Sequence, residues 1–241
     1  MSLVGARASP TLSVVIPVYN EAATLARVIE RVQAIPVPKE ILVVDDGSTD
    51  GTRELLEGLE KSRPAGMVFF FHGRNRGKGA AIRTAVAQAE GEITLIQDAD
   101  LEYDPAEVQK LIGPILAGDA DVVYGSRFLG GPHRVLYFWH WAGNNFLTLL
   151  SNICTNLNLT DMETGYKAFK TAILKRLPIR SDRFGFEPEV TAKVARLGCR
   201  VYEVPISYRG RDYSAGKKIT WVDGLKAVFT ILKYRLIADI G

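Results

Sequence analysis

Apolar and polar positions fall in alternating blocks along this chain. Leu12-Ser13-Val14-Val15-Ile16 opens an apolar run that breaks at Pro17-Val18-Tyr19-Asn20-Glu21, and a helical pattern follows over residues 22–34. Ile41-Leu42-Val43-Val44 ends in Asp45-Asp46-Gly47-Ser48-Thr49-Asp50-Gly51, again ahead of a helical stretch. Residues 67–72 run into Gly73-Arg74-Asn75-Arg76-Gly77-Lys78-Gly79 and a helical pattern over 80–89. Ile93-Thr94-Leu95-Ile96-Gln97 is the fourth run and Asp121-Val122-Val123-Tyr124-Gly125 the fifth. Short Val- and Ile-rich runs alternating with helices predict an α/β domain, a mostly parallel sheet covered on both faces. Such sheets bind ligands beyond the carboxyl ends of their strands. The polar segments holding Asn20, Asp46, Gly77 and Asp98 are therefore expected to converge on one crevice.

Asp98-Ala99-Asp100 closes the fourth run with two carboxylates around a small residue. Hard oxygen ligands in that arrangement suit Mg²⁺ or Mn²⁺, which keep open positions for substrate phosphates. Gly77-Lys78-Gly79 opens a helix, where glycines permit close backbone approach and the N-terminus favours an anion. The spacing is not that of a P-loop, and no G-x-G-x-x-G follows the first strand, which excludes a dinucleotide oxidoreductase. His72, His133 and His140 share no metal-ligand spacing, and no nucleophile elbow is present.

Taken in order, Pro17-Val18-Tyr19-Asn20-Glu21, Val44 to Gly51, Asn75-Arg76-Gly77-Lys78-Gly79 and Asp98-Ala99-Asp100-Leu101 resemble the inverting glycosyltransferases of family 2. Gly125-Ser126-Arg127 and Glu163-Thr164-Gly165-Tyr166-Lys167-Ala168-Phe169 resemble the branch making polyprenyl- or dolichyl-phosphate hexoses. The resemblance covers roughly residues 12–219. It implies a GT-A (Rossmann-like) fold, a divalent metal and a nucleotide-diphospho-sugar donor, GDP-mannose or UDP-glucose in type. Donor contacts are expected from Pro17, Tyr19 against the base, Glu21 on a ribose hydroxyl, Asp46 on the base, Gly77, Lys78, Asp98 and Ala99. Asp98 and Asp100 would hold the metal. Asp100 and Arg127 would carry catalysis, Arg127 gripping an acceptor phosphate through its planar fork with Arg134 as a second ligand. Arg209, Arg211, Lys217 and Lys218 stand in a loop that could close over the site.

A lipid phosphate monoester, mostly dianionic at neutral pH, needs no general base. A sugar or small-molecule hydroxyl needs a carboxylate base, for which Asp161, Glu163, Glu187 and Glu189 are available. A nucleotide-binding adaptor without catalysis is the alternative from another class.

Bulk properties narrow the partners. The 241 residues suit one domain: a loose tail at 1–10, the transferase domain at 11–219 and an amphipathic helix at 220–241. A net charge of +3 without a basic block argues against nucleic acid. Cys154 and Cys199 lack metal or redox spacing and read as reduced thiols. No stretch of about 18 apolar residues is uninterrupted, so a spanning helix is not expected. Tyr137-Phe138-Trp139-His140-Trp141, and Trp221, Leu225, Val228, Phe229, Leu232 and Leu236 with Lys226, Lys233 and Arg235, suit a membrane surface or a docked core helix. The expected place is the cytoplasmic face of a membrane, with a membrane-protein partner or a second copy as further possibilities.

Overall fold

The computed structural model describes residues 10–130, 137–183, 185–210 and 221–236. Its strands are β1 (Leu12–Val18), β2 (Lys39–Asp45), β3 (Met67–Phe71), β4 (Ile93–Ile96), β5 (Val122–Ser126), β6 (Lys167–Lys170) and β7 (Val201–Pro205). They form one sheet in the order β3-β2-β1-β4-β6-β5-β7. β1 pairs in parallel with β2 and β4, β2 with β3, and β5 with β7. β6 lies between β4 and β5 and runs antiparallel to both. The fourth and fifth apolar runs are thus not neighbours. The hydrophobic pattern does not announce β6, because its four residues begin and end in lysine.

The helices are α1 (Leu25–Gln33), α2 (Thr52–Lys61), α3 (Lys78–Gln88), α4 (Val108–Leu116), α5 (Phe138–Thr155), α6 (Thr171–Arg176), α7 (Phe186–Arg196) and α8 (Trp221–Leu236). Successive strand residues point to opposite faces, so each central strand feeds two cores. Val14, Ile16 and Val43 pack with Leu25 and Val28 of α1, Leu56 of α2 and Leu111 of α4. Val15, Leu42 and Val44 pack with Ala81, Ile82 and Ala85 of α3 and with Phe186, Val190 and Val194 of α7. Leu25, Val28, Ile29 and Val32 recur at helical spacing, which is why α1 presents a single apolar face. Burying each such side chain contributes roughly 1.5–3 kcal/mol.

α8 packs on α5 and α7. The face it buries is Ala227, Ile231 and Tyr234, not the stripe picked out by hydrophobic spacing. Leu225, Phe229, Leu232 and Leu236 point outward, with Val228 half-buried. The helix is apolar on both sides, and pattern alone could not say which side the core takes. α5 shows the same duality: Thr148 and Ser151 are buried while Phe138, Trp139, Trp141, Phe146, Leu149 and Ile153 are exposed.

Candidate active site

The loops after β1 and β2 are laced together. Asn20, in a left-handed conformation, donates its backbone N–H to Ser48 Oγ at 3.0 Å and accepts from Thr49 N at 2.8 Å through its side-chain oxygen. Glu21 N donates to Thr52 Oγ1 at 3.0 Å and Ala22 N to Asp50 Oδ2 at 3.1 Å. Asp45 buttresses its own turn, accepting from Ser48 N at 3.0 Å and pairing with Arg53 at 2.7 Å. Pro17 and Glu21 are half-buried beside this lacing, and the Tyr19 ring is exposed at its rim.

Asp46 occupies a different place from the one expected of a base ligand. Its side chain is 3% exposed. Oδ1 accepts from Arg76 N at 2.9 Å and lies 2.7 Å from His72 Nδ1, while Oδ2 accepts from Gly77 N at 2.6 Å. Thr84 Oγ1 sits 2.9 Å from the other nitrogen of His72. Asp46 therefore ties the third loop to the second. Gly77 and Gly79 also differ from expectation. A Cβ on Gly77 would overlap the carbonyl of Asp182, and one on Gly79 the carbonyl of Ser181. Ala80 N, at the start of α3, donates to Asp182 O at 3.2 Å. The glycines admit the chain's own backbone here, and the helix N-terminus is covered by it.

Lys78 points from that turn to the end of β4. Its ammonium lies 2.8 Å from Asp98 Oδ1 and 3.2 Å from Glu187 Oε1, Glu187 standing in the first turn of α7. Burial opposes the charge, but Asp98 and then Glu187 outweigh it and hold the lysine well above its ordinary range. Ala99 is buried, and its carbonyl accepts from Thr24 Oγ1 at 2.7 Å. Asp100 Oδ1 accepts from Glu102 N at 3.1 Å. Asp98 and Asp100 are both half-buried at the strand's carboxyl end. Two hard carboxylates are the donor type a divalent cation takes. Because both Asp98 oxygens face Lys78 Nζ, at 2.8 and 3.2 Å, a cation held here would share Asp98 with that ammonium. Among the described residues, no group of three or more His, Cys, Asp or Glu side chains forms a metal cage.

Arg127 follows β5 across the crevice. Its fork is occupied: Nε and Nη2 donate to Asp161 at 2.6 and 2.7 Å, and Nη2 also reaches Asn144 Oδ1 at 3.1 Å. Its guanidinium carbon stands 5.1 Å from the centroid of the Tyr208 ring. The expectation that both arms of the fork grip phosphate is corrected by this clasp, which leaves the Nη1 edge. Burial works against the charge, and Asp161 more than restores it. Glu203 of β7 accepts from the backbone N–H of Thr160 and Asp161, so the edge strand fixes the loop that fixes Arg127. Tyr208 donates to Glu102 at 2.7 Å, and the exposed Arg209 donates its backbone N–H to Glu102 O at 2.9 Å. Arg209 is thereby set beside the Asp98–Glu102 turn. Arg134, Arg211, Lys217 and Lys218 lie outside the described residues.

Residues 161–165 join the two ends of the crevice. Asp161 clasps Arg127, while a Cβ on Gly165 would overlap Asp98 Oδ2 and stand 2.9 Å from Lys78 Nζ. Gly165 N donates to Tyr103 Oη at 3.0 Å, and the Tyr103 and Tyr166 rings stack at 5.1 Å. The tyrosines and the Asp161–Arg127 and Glu187–Lys78 pairs were missed as such in the sequence. In the sequence Asp161 and Glu187 stand only as possible bases and Tyr166 only within the family motif, so nothing there pairs them with Arg127, Lys78 and Tyr103.

This arrangement lies beyond the carboxyl ends of strands in a mostly parallel sheet. Glucosyl-3-phosphoglycerate synthase from Mycobacterium tuberculosis, solved with Mn²⁺, uridine diphosphate and phosphoglyceric acid, superposes with a TM-score of 0.72 at 23% identity. The match covers 96% of this chain and 81% of that one, and it establishes a shared GT-A fold. The chain belongs to glycosyl transferase family 2, whose profile matches residues 13–177, and it is a glycosyltransferase. It is 30% identical over 236 residues to the undecaprenyl-phosphate mannosyltransferase of Micrococcus luteus, covering 93% of each chain. It is 29% identical to the polyprenol monophosphomannose synthase of Mycolicibacterium smegmatis, covering 85% of this chain and 79% of that one.

Proposed function

We propose that this enzyme transfers a hexose from a nucleotide-diphospho-sugar, of the GDP-mannose or UDP-glucose kind, to a polyprenyl phosphate. The observation that carries this reading is the crevice itself: paired carboxylates at one end, a clasped arginine at the other, and residues 161–165 between them. The names of the Micrococcus and Mycolicibacterium relatives support the acceptor class. The M. tuberculosis neighbour, crystallised with Mn²⁺, supports a divalent ion.

In this reading Pro17, Tyr19 and Glu21 line the nucleoside end, and Asp46 serves by holding the wall behind it. Asp98 and Asp100 hold Mg²⁺ or Mn²⁺, which when bound neutralises charge on the donor diphosphate. Lys78 adds a fixed positive charge beside Asp98. Arg127 presents its Nη1 edge to the acceptor phosphate, with Asp161 fixing the guanidinium plane. The phosphate oxygen attacks the anomeric carbon as the bond to the nucleoside diphosphate breaks, so an α-linked donor gives a β-linked product. Positioning and electrostatics supply the rate, because the nucleophile is already ionised. Three of the four carboxylates that a hydroxyl acceptor could use as a base are engaged elsewhere, and burial holds the fourth, Glu163, above the usual carboxylate range. Asp161 is bonded to Arg127, Glu187 to Lys78, and Glu189 to Lys193 and the backbone N–H groups of Arg180 and Ser181.

Among the described residues no helix is long and apolar enough to cross a membrane. The exposed apolar faces of α5 and α8 instead support a peripheral position, with Trp139, Trp141 and Phe229 entering the interface and Lys226 and Lys233 at its anionic surface. A panel of nucleotide sugars with Mg²⁺ or Mn²⁺ and polyprenyl phosphate, read by the mass of the lipid product, tests the function. A lipid phosphate heavier by one hexosyl group is expected. Transfer only to hydroxyl acceptors would refute the reading.

A further inference from the structure

Glu163 lies midway along the segment that joins the two ends of the crevice, between Asp161 on Arg127 and Gly165 on Asp98. The residue is half-buried, yet its Oε1 is fully covered and has no hydrogen-bond partner. The neighbouring cations are committed to other groups. The fork of Arg127 is held by Asp161. The ammonium of Lys167 on β6 donates to the carbonyls of Met162 and Thr164 and stands 4.6 Å from the centroid of the Tyr124 ring. The remaining charged neighbours are the carboxylates of Glu187 on α7 and of Asp161. An ionised carboxylate in that setting would have one oxygen desolvated and two like charges nearby, which Lys167 and Arg127 offset only in part. Burial first, and Glu187 next, push the Glu163 carboxyl well above the usual carboxylate range.

We infer that Glu163 works as a neutral carboxylic acid whose O–H donates a hydrogen bond to the acceptor phosphate, making it a contact that reads an already ionised nucleophile. This rests on the lipid-phosphate reading above and adds the feature that selects the phosphate. A protonated acid cannot take a proton from a sugar hydroxyl, but it can donate to a phosphate oxygen that an ionised glutamate would repel. The proton stays on Glu163 throughout: the phosphate oxygen forms the new bond to the anomeric carbon, and the electron pair of the broken bond leaves with the nucleoside diphosphate.

The test compares Glu163→Ala and Glu163→Gln, since glutamine keeps a donor in the same shape but cannot ionise. Transfer to polyprenyl phosphate is measured from about pH 7 to about pH 9, where the lipid phosphate, with a second pKa near 6, is already a dianion. Nucleoside diphosphate binding by calorimetry and the melting temperature check that each variant retains its donor site. Glu163→Ala should raise the acceptor KM roughly tenfold to a hundredfold, the range for one hydrogen bond to a charged group, with donor affinity unchanged. Glu163→Gln should recover most of that loss. It should also flatten the alkaline rise in acceptor KM, leaving only the part due to Lys167, whose ammonium burial pulls down to about 8. A glutamine variant as poor as the alanine variant, with donor binding intact, means that the ionised form is needed and overturns the inference. So does a wild-type acceptor KM and alkaline limb in both variants. A wild-type enzyme that uses no lipid phosphate overturns the acceptor reading itself, and this inference with it.

Discussion

The two halves of the sheet solve the burial of polar groups in different ways. In the β1–β4 half, the buried carboxylates combine backbone N–H groups with a side-chain partner: Asp45 takes Ser48 N and Arg53, and Asp46 takes the N–H groups of Arg76 and Gly77 beside His72. In the β5–β7 half, Asp161 clasps both Nε and Nη2 of Arg127, and Glu203 holds the Thr160–Asp161 backbone that carries it. Loop-held carboxylates make a rigid frame that can receive a donor with little rearrangement. Ion pairs between distant segments make a site whose parts depend on one another, and removing one partner leaves a charge buried alone. The outer helices differ as well. α1 keeps its apolar residues inward, whereas α5 and α8 leave a second apolar face outside.

The sharpest way to break this contrast is at Asp98 and Asp100, where the two halves meet. Asp98→Asn and Asp100→Asn should each lower transfer by about a thousandfold, matching loss of several kcal/mol of charge stabilisation. EDTA should do the same to wild type, and Mn²⁺ or Mg²⁺ should restore it. The melting temperature should change little in Asp100→Asn, whose side chain is half-buried, and fall more in Asp98→Asn, which leaves Lys78 with Glu187 alone. Full activity in EDTA would remove the metal from the mechanism.

Across the crevice the same kind of substitution should behave differently. Asp161 is fully buried and the side chain of its partner is 17% exposed. Asp161→Asn should therefore cost about 3–5 kcal/mol of stability, a fall in melting temperature on the order of 10 °C for a chain this size. Arg127→Lys keeps a charge but loses the fork, and should weaken acceptor use by about a hundredfold while sparing donor affinity in calorimetry. An equal loss of donor affinity would place Arg127 in the donor site and dissolve the distinction between the halves.

The same contrast explains what could be read from the chain. The donor half is written in contiguous segments, Val44 to Gly51 and Asn75 to Gly79, each ending an apolar run, so their convergence was legible from topology rules alone. The roles within them were less so. The family resemblance places Asp46 on the base, but bonds to the backbone of Arg76 and Gly77, about thirty residues away, turn it inward. Gly77 and Gly79 signalled a close approach correctly, but the approaching backbone is Ser181–Asp182, about a hundred residues on. Partners at such separations leave no mark on local pattern. β6 went unseen for a similar reason: a four-residue strand takes its place from both neighbours rather than from its own periodicity.

For α8, an inward and an outward substitution should separate the two faces. Ile231→Ala should cost roughly 2–5 kcal/mol of stability, as a buried truncation does. Phe229→Glu should leave the melting temperature nearly unchanged. It should lower binding to vesicles, and transfer to long polyprenyl phosphate, by about tenfold or more, because the lost apolar insertion is worth roughly 1.5–3 kcal/mol. A short, water-soluble phosphate acceptor should be used as before. Equal loss on both acceptors would assign the outer face to folding.

The smallest expected effect belongs to the lysines that flank that face. Lys226 and Lys233 are exposed on α8, and neither points into the core. A cation at an anionic bilayer contributes about 1 kcal/mol, and the attraction fades within a Debye length of about 8 Å at physiological salt. Lys226→Ser and Lys233→Ser should therefore each weaken binding to vesicles containing anionic lipid by about fivefold at low salt. Neither should change binding to neutral vesicles, and about 1 M salt should erase the difference. Phe229→Glu should keep most of its defect in high salt, because hydrophobic insertion is not screened. If the lysine variants bind anionic and neutral vesicles equally well as wild type at every salt concentration, the charges on α8 play no part in docking. The exposed apolar face would then have to hold the enzyme at its lipid substrate alone.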